Sequence, residues 1–344
     1  MADNKLSVDA DSASKSSGPI EGRVGVVVIG RNEGDRLVQC IDSLTLMGLP
    51  IVYVDSASTD GSPEAARSRG ADVLDLDLAT PFTAARARNE GFARLLSIAP
   101  NIDYIQFVDG DCEIEQGWIA SATDFLDQRS DVAIVCGRRR ERFPDASFYN
   151  KICDEEWNTA VGESEACGGD ALMRKSSFVA VDGYNGGIIA GEEPELCSRM
   201  RTKNMRIWRI DQPMTVHDAD MHHFRQWWLR AIRSGFGYAQ VWWTTRKTGK
   251  ALYSRELVRA ILWALIIPLI AVVGGLFAPI FLLILPAIYM AQTARMAIKQ
   301  GAFNKFSWKV AALNIAGKFG ETLGIFRFVS RLLKGKQGGA IFYK

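Results

Sequence analysis

Two carboxylates one residue apart, Asp109-Gly110-Asp111, close the apolar run YIQFV, and the glycine between them allows a tight bend. Where a chain leaves a buried strand, such a pair can hold Mg2+ or Mn2+ through one or two oxygens and leave the other positions to phosphate. An ordinary Asp-Gly turn uses the same letters. A second group, Asp55-Ser56-Ala57-Ser58-Thr59-Asp60-Gly61-Ser62, follows IVYV. Its short oxygen-bearing side chains can hydrogen-bond a base or ribose, or simply cap the helix-like SPEAARS. A third, Gly191-Glu192-Glu193-Pro194-Glu195-Leu196, opens the helix-like ELCSRMRT, where acids favour the N-terminus through the helix dipole. Last come His217, Asp218, His222 and His223, next to a stretch holding Trp227, Trp228, Arg230 and Arg233.

The elements that must position these groups are legible as a rhythm. From Val24 onward, apolar runs such as VGVVVIG, IVYVD and VAIVCG alternate with amphipathic stretches of helical length. Continuous apolar strands separated by crossover helices predict a doubly wound α/β domain with a parallel sheet covered on both faces. Ligands then sit in the crevice at the strands' carboxyl ends. The strand ending VIGRNEG lacks the GxGxxG spacing of a dinucleotide fingerprint, and no GxxxxGK[ST] occurs, so the nucleotide chemistry is of another kind.

The formal charge of +2 hides two unlike halves. After Lys250 there are twelve basic and two acidic residues, which leaves 29 basic and 37 acidic residues before it. An acidic folded half argues against nucleic acid as partner, whereas a basic tail suits an anionic membrane surface. The six cysteines form no CxxC pair and only three histidines exist, which argues against a zinc site and for reduced cytosolic thiols.

Between Arg259 and Arg295 lie 35 residues without a charge. One straight helix of that length would run roughly 50 Å against a hydrocarbon core of about 30 Å. A hairpin broken at Gly274-Gly275 fits better, and its basic flanks place both ends in the cytosol by the positive-inside rule. A buried soluble hairpin is the alternative. The following segment, 303–333, mixes aromatic and basic residues at helical spacing, as expected for a helix lying in the headgroup plane. The expected organisation is a polar leader over 1–22 without a signal-peptide pattern, a catalytic domain over 23–245, a membrane hairpin over 246–300 and a basic interfacial helix and tail over 301–344.

Taken in order, VVVIGRNEGDRL, IVYVDSASTDGS, ARARNEGF, FVDGDCEIEQGW, CGGDALMRKSSFVAVDGYN and GEEPELCSRMRTKNMRI resemble the glycosyltransferase family 2 pattern over about residues 24–240. The resemblance implies a GT-A fold, a nucleotide-diphospho-sugar donor, Mg2+ or Mn2+, and inversion at the anomeric carbon. It implies that Ile29, Arg31 and Glu33 surround the nucleotide base and that Asp55 and Ser56 meet base and ribose, with Ser56 standing where a second acid is common. It implies that Arg88 and Asn89 hold the donor through a guanidinium fork, although a solvated helix face carries the same letters. Asp109 and Asp111 fall on the DxD element, with Asp111 as direct metal ligand. Gly169 and Asp170, following Gly168, face the transferred sugar and acceptor together with Glu192. Glu193 falls on the general base. His217 would complete the metal shell, or be packed and hydrogen-bonded. Gln226 lacks the arginine-tryptophan spacing of the processive QxxRW element, so the aromatic-basic stretch covers the donor site, meets the membrane interface or docks as an amphipathic helix.

The expectation is therefore an inverting hexosyltransferase at the inner cell membrane, its catalytic domain cytosolic, acting on a lipid-linked or polysaccharide acceptor. A sugar-phosphate nucleotidyltransferase would need a glycine-rich basic loop after the first strand, which GRNEGDR hardly supplies, and a non-catalytic scaffold would not need DGD and EEPEL.

Overall fold

VGVVVIG carries no polar side chain, and in the computed structural model, which describes residues 20–248 and 251–335, it forms the buried interior strand β1 (Val24–Gly30). The first nineteen residues of the expected leader and the tail beyond 335 lie outside the described residues. The chain continues through α1 (Asp35–Thr45), β2 (Ile51–Asp55), α2 (Ser62–Ser68), β3 (Asp72–Asp75), α3 (Ala84–Ile98) and β4 (Tyr104–Asp109). Then follow β5 (Cys112–Ile114), α4 (Trp118–Gln128), β6 (Val132–Glu141), α5 (Phe148–Trp157), β7 (Gly162–Ser164) and β8 (Ala171–Arg174). The stretch expected as the catalytic domain ends with α6 (Lys175–Ala180), α7 (Glu192–Thr202), β9 (Arg206–His217) and α8 (Phe224–Thr245).

The strands form one sheet in the order β3-β2-β1-β4-β8-β6-β9-β5, with β7 paired to β9. The expected parallel pairing holds across β3, β2, β1 and β4. Beyond β4 the sheet is mixed: β8 runs antiparallel to both β4 and β6, β5 runs antiparallel to β9, and only β6 and β9 are parallel. Hydrophobic runs encode burial, not direction, so the reversal at the four-residue β8 leaves no mark in the sequence.

Helix α3 lies close on the sheet because it has glycine at the contact. A Cβ on Gly91 would come within 2.5 Å of Val27 and 2.7 Å of Val54, so the helix seats its ARN segment directly above the carboxyl end of β1 and β2. The loops after β1 and β2 are stitched together. Asn32 N–H donates to Ser58 Oγ (2.9 Å), Thr59 N–H to Asn32 Oδ1 (2.7 Å) and Gly34 N–H to Asp60 Oδ2 (2.9 Å). The oxygen-rich loop 55–62 thus fixes the neighbouring loop as well as its own helix.

The apolar segment folds as a hairpin of α9 (Ser254–Ile261), a π-helical turn (Leu262–Ile266) and α10 (Ile267–Phe277), returning as α11 (Ile280–Gly301). Its two arms, Ser254–Phe277 and Ile280–Gly301, have mean hydropathies of 2.6 and 1.5 and are long and apolar enough to cross a membrane. Only 11% and 6% of their most apolar windows are buried. The break does not fall at Gly274-Gly275. Ala278 is extended ahead of Pro279, as a residue before proline prefers, and the glycines instead form a notch for the other arm. A Cβ on Gly274 would stand 2.7 Å from the Phe281 ring, and one on Gly275 2.8 Å from Leu282. Pro268 explains the π turn. Lacking an N–H, it cannot donate to the carbonyl five residues back, Trp263, which accepts instead from the Tyr289 hydroxyl of α11 at 2.6 Å.

Helix α12 (Lys305–Leu333) carries the segment expected to lie in the headgroup plane. It packs along α8 through glycines on both sides: Gly235 faces the Glu321 backbone, and Gly324 faces the backbone of Ile232 and Phe236, with no room for a Cβ at either. Trp227 and Trp228 lie over Gly317 and Gly320, so the tryptophan face of the aromatic-basic stretch packs as a docking helix. Apolar side chains of α12 remain exposed on the other face, among them Phe326 and Val329.

Candidate functional site

The carboxyl ends of β1 and β4, the N-terminus of α7 and the middle of α8 enclose a cleft of roughly 500 Å³, within the range of small-molecule sites. Ile29, Arg31, Glu33 and Ser56 line it from the stitched loops, and Arg88 from α3. Asp109 and Asp111 enter from the end of β4, Glu192 and Glu193 from α7, and His217 from the end of β9. Four expected site residues stand behind this wall. The Asp55 carboxylate is buried, accepting from Tyr53 OH at 2.8 Å and Ser58 N–H at 2.7 Å. Asn89 is bonded twice to the Tyr184 backbone. Asp170 accepts from Asp109 N–H (3.0 Å) and Thr215 Oγ1 (3.0 Å). Gly169 leaves room for its neighbours, since a Cβ there would lie 2.5 Å from Arg88 and 2.8 Å from Asp109.

Arg88 is the hub. Its side chain is 2% exposed and bridges three carboxylates: Nη2 to Asp109 Oδ1 at 2.8 Å, and Nη1 to Glu192 Oε1 at 3.0 Å and Glu193 Oε1 at 3.1 Å. The guanidinium also lies 5.4 Å from the centre of the Tyr184 ring. One cation thereby locks the start of α7 to the end of β4, and the left-handed Gly191 (φ 88°) lets the chain turn sharply into that first helical turn. Two acids in one turn facing one guanidinium leave a surplus of negative charge. Partial burial of Glu193, reinforced by the Glu192 carboxylate and only partly offset by Arg88, pushes its pKa up to about 7. Asp109 is raised as well, by burial in the first place, with Arg88 opposing and Asp170 adding to the shift.

Asp111 and His217 meet across the antiparallel pair β5/β9, where Cys112 faces His217 in register. His217 Nε2 is 3.3 Å from Asp111 Oδ1, and Trp157 packs edge-on against the imidazole at 4.7 Å. Nδ1 of His217 is buried and has no hydrogen-bond partner among the described residues. Asp111, His217 and Cys112 offer ligand atoms within 4.8 Å of one another, so this corner can hold a divalent ion. Asp109 is committed to arginines: Arg139 Nη2 lies 3.6 Å from its Oδ2 and 2.6 Å from Asp170 Oδ2.

Sequence reasoning missed Arg139, Phe82 and Phe236. Arg139 continues the buried strand VAIVCG into RRR, and charges extending an apolar strand toward a ligand-bearing sheet end were the available signal. Phe82 lines the cleft 5.9 Å beneath the Arg31 guanidinium. Phe236 reaches the cleft from α8, the helix whose aromatic-basic stretch was expected to cover the donor site, meet the membrane interface or dock.

Residues 25–178 match the family model described as Glycosyl transferase family 2. Among curated proteins, the succinoglycan biosynthesis protein ExoA of Rhizobium meliloti (strain 1021) is 27% identical over 208 residues, 56% of this chain and 62% of that relative, so the likeness spans under two thirds of its length. Among solved structures, the mannosyltransferase PcManGT from Pyrobaculum calidifontis, in complex with GDP-Man and Mn2+, superposes with a TM-score of 0.61. It is 20% identical, over 88% of this chain and 87% of that one, which establishes a common fold. The matched segment runs from β1 through the Asp109-Gly110-Asp111 turn to α6 and is of the glycosyl transferase family 2 type, and the chain is built on a GT-A-type fold.

Proposed function

We propose that this protein is an inverting glycosyltransferase that moves a sugar from a nucleotide-diphospho-sugar onto a lipid-linked or polysaccharide acceptor at a membrane surface. The observation that carries the reading is the convergence, in one cleft, of the Glu193 carboxylate and the Asp111–His217 corner, tied together through Arg88 and Asp109. In this reading Glu193 takes the proton of the acceptor hydroxyl, and its raised pKa makes it a stronger base than an exposed glutamate. Asp111 and His217 would hold Mg2+ or Mn2+, assisted by Asp109. The donor set of carboxylate oxygen and imidazole suits such an ion, which when bound supplies positive charge beside the leaving diphosphate. Arg88, buried and spent on three acids, orients Asp109, Glu192 and Glu193 rather than gripping the donor itself. Ile29, Arg31, Glu33 and Ser56 surround the base and ribose. Asp55 shapes that loop from behind, while Asn89, Gly169 and Asp170 hold the walls on the sugar side.

The exposed apolar hairpin and its basic flanks support a place in the membrane, with the catalytic domain (23–245) on the cytosolic face of the inner membrane and the remainder (246–344) as hairpin, docking helix and tail. The polysaccharide role in the name of ExoA and the GDP-Man and Mn2+ bound by PcManGT agree with the donor and acceptor classes proposed. Purified full chain in detergent, screened against nucleotide sugars with and without Mn2+ by thermal shift, tests the reading. A ligand bound only by the native state raises the melting temperature, and the reading fails if no nucleotide sugar does so.

A further inference from the structure

Arg233 lines the same cleft from α8 and has no hydrogen-bond or ion-pair partner among the described residues. The other two guanidinium groups in the wall are engaged, Arg88 by three carboxylates and Arg31 over Phe82. A cation left open in a cleft rich in carboxylates is placed for an anion that arrives from outside. Its surroundings indicate where that anion comes from. Phe236, one turn further along α8, belongs to an apolar cluster with Ile189, Leu257, Ala260 and Ile261. The last three lie on α9, the root of the first apolar arm. Arg233's helix is also joined to the segment before the proposed base. Ile189 N–H donates to Gln240 Oε1 at 2.9 Å, and a Cβ on Gly237 would lie 3.1 Å from the Ala190 carbonyl. The open guanidinium, the residues leading into Glu193 and the start of the apolar arm therefore share one wall.

We infer that Arg233 reads a phosphate on the acceptor. The acceptor is an amphiphile whose phosphate pairs with Arg233 and whose chain follows the apolar wall toward α9. This deepens the transferase reading and rests on it. The donor's diphosphate is the rival claimant for Arg233, but an ion held by Asp111 and His217 would supply positive charge to it from that corner. Arg233 sits instead on the helix that braces the segment entering Glu193, the base that must face the acceptor.

The test is equilibrium binding to the full chain in nanodiscs of a zwitterionic lipid, with hexadecyl phosphate, hexadecanol, inorganic phosphate and a nucleoside diphosphate with Mn2+ as probes. Arg233→Ala should weaken hexadecyl phosphate by roughly tenfold to a hundredfold, the worth of a charge-assisted hydrogen bond, and Arg233→Lys should recover part of it. Hexadecanol should bind wild type and Arg233→Ala alike, and inorganic phosphate should bind far more weakly than the amphiphile. Unchanged hexadecyl phosphate binding in Arg233→Ala overturns the inference, as does a loss confined to nucleoside diphosphate with Mn2+. Inorganic phosphate binding as tightly as hexadecyl phosphate also overturns it, by assigning a free-anion site. A chain that binds hexadecyl phosphate through Arg233 yet transfers no sugar would refute the transferase reading alone.

Discussion

Asp109 at the end of β4 and Glu193 in the first turn of α7 are held by the same guanidinium, with Arg88 at 2.8 Å from one carboxylate and 3.1 Å from the other. That bridge fixes the distance between the end of the sheet and the proposed base, and it makes the fold and the chemistry sensitive to one side chain.

Replacing Arg88 should therefore cost stability as well as turnover. Arg88→Ala leaves three carboxylates without their buried cation, and breaking such a group costs about 3–5 kcal/mol. The loss, measured from urea midpoints in detergent, should shrink as pH falls toward 5, because the stranded acids can then be neutral. A destabilisation that is independent of pH would mean that packing, and not charge, is what Arg88 provides.

The raised pKa of Glu193 gives opposite signs for activity and stability. Only the carboxylate can accept a proton, so log kcat/KM should climb with pH and level off above about 7. A carboxyl group whose folded pKa is raised contributes stability that is fully present below its ordinary value, and that contribution is lost as pH rises through about 7. A pH–rate profile that is flat from 5.5 to 8 would remove Glu193 from the base role.

Metal activation should depend on the corner formed by β5 and β9. Asp111→Asn and His217→Ala should each raise the Mn2+ concentration for half-maximal activity by at least an order of magnitude, the scale on which changes around metal sites act, while the far-ultraviolet circular dichroism stays unchanged. Equal Mn2+ dependence in wild type and both variants would place the ion elsewhere.

The apolar arms carry their own test. Tyr289→Phe removes the hydroxyl that satisfies the Trp263 carbonyl and should destabilise the hairpin by about 1 kcal/mol in a detergent denaturation series. Gly274→Leu pushes into Phe281 and should separate the arms, which cross-linking between paired cysteines introduced on α10 and α11 would register. An unaltered cross-linking yield in Gly274→Leu would contradict the close packing at that notch.

Much of the site was legible because burial and turn chemistry are local. VGVVVIG and YIQFVDGD mark buried strands by composition, and the acids at their ends face the crevice as a strand-to-loop exit requires. What the letters do not carry is partner choice at long range. Asp55 and Asn89 look like ligands beside a strand and on a helix, yet their polar atoms are consumed by Ser58, Tyr53 and Tyr184. Arg139 reaches the site only because β6 lies beside β8 and β9, a neighbourhood that hydrophobic patterning does not encode. The glycine pair 274–275 reads as a break, since glycine serves turns and close packing alike, and the extended Ala278 before Pro279 makes the turn instead.

The most direct measurement is sugar transfer by purified Glu193→Gln compared with wild type, alongside nucleotide-sugar binding in the presence of Mn2+. Glutamine keeps the shape and hydrogen-bonding reach but cannot take a proton, so the variant should bind the donor within a few fold of wild type and show transfer lower by roughly 10²–10⁴. Wild-type transfer rates in that variant would contradict the account.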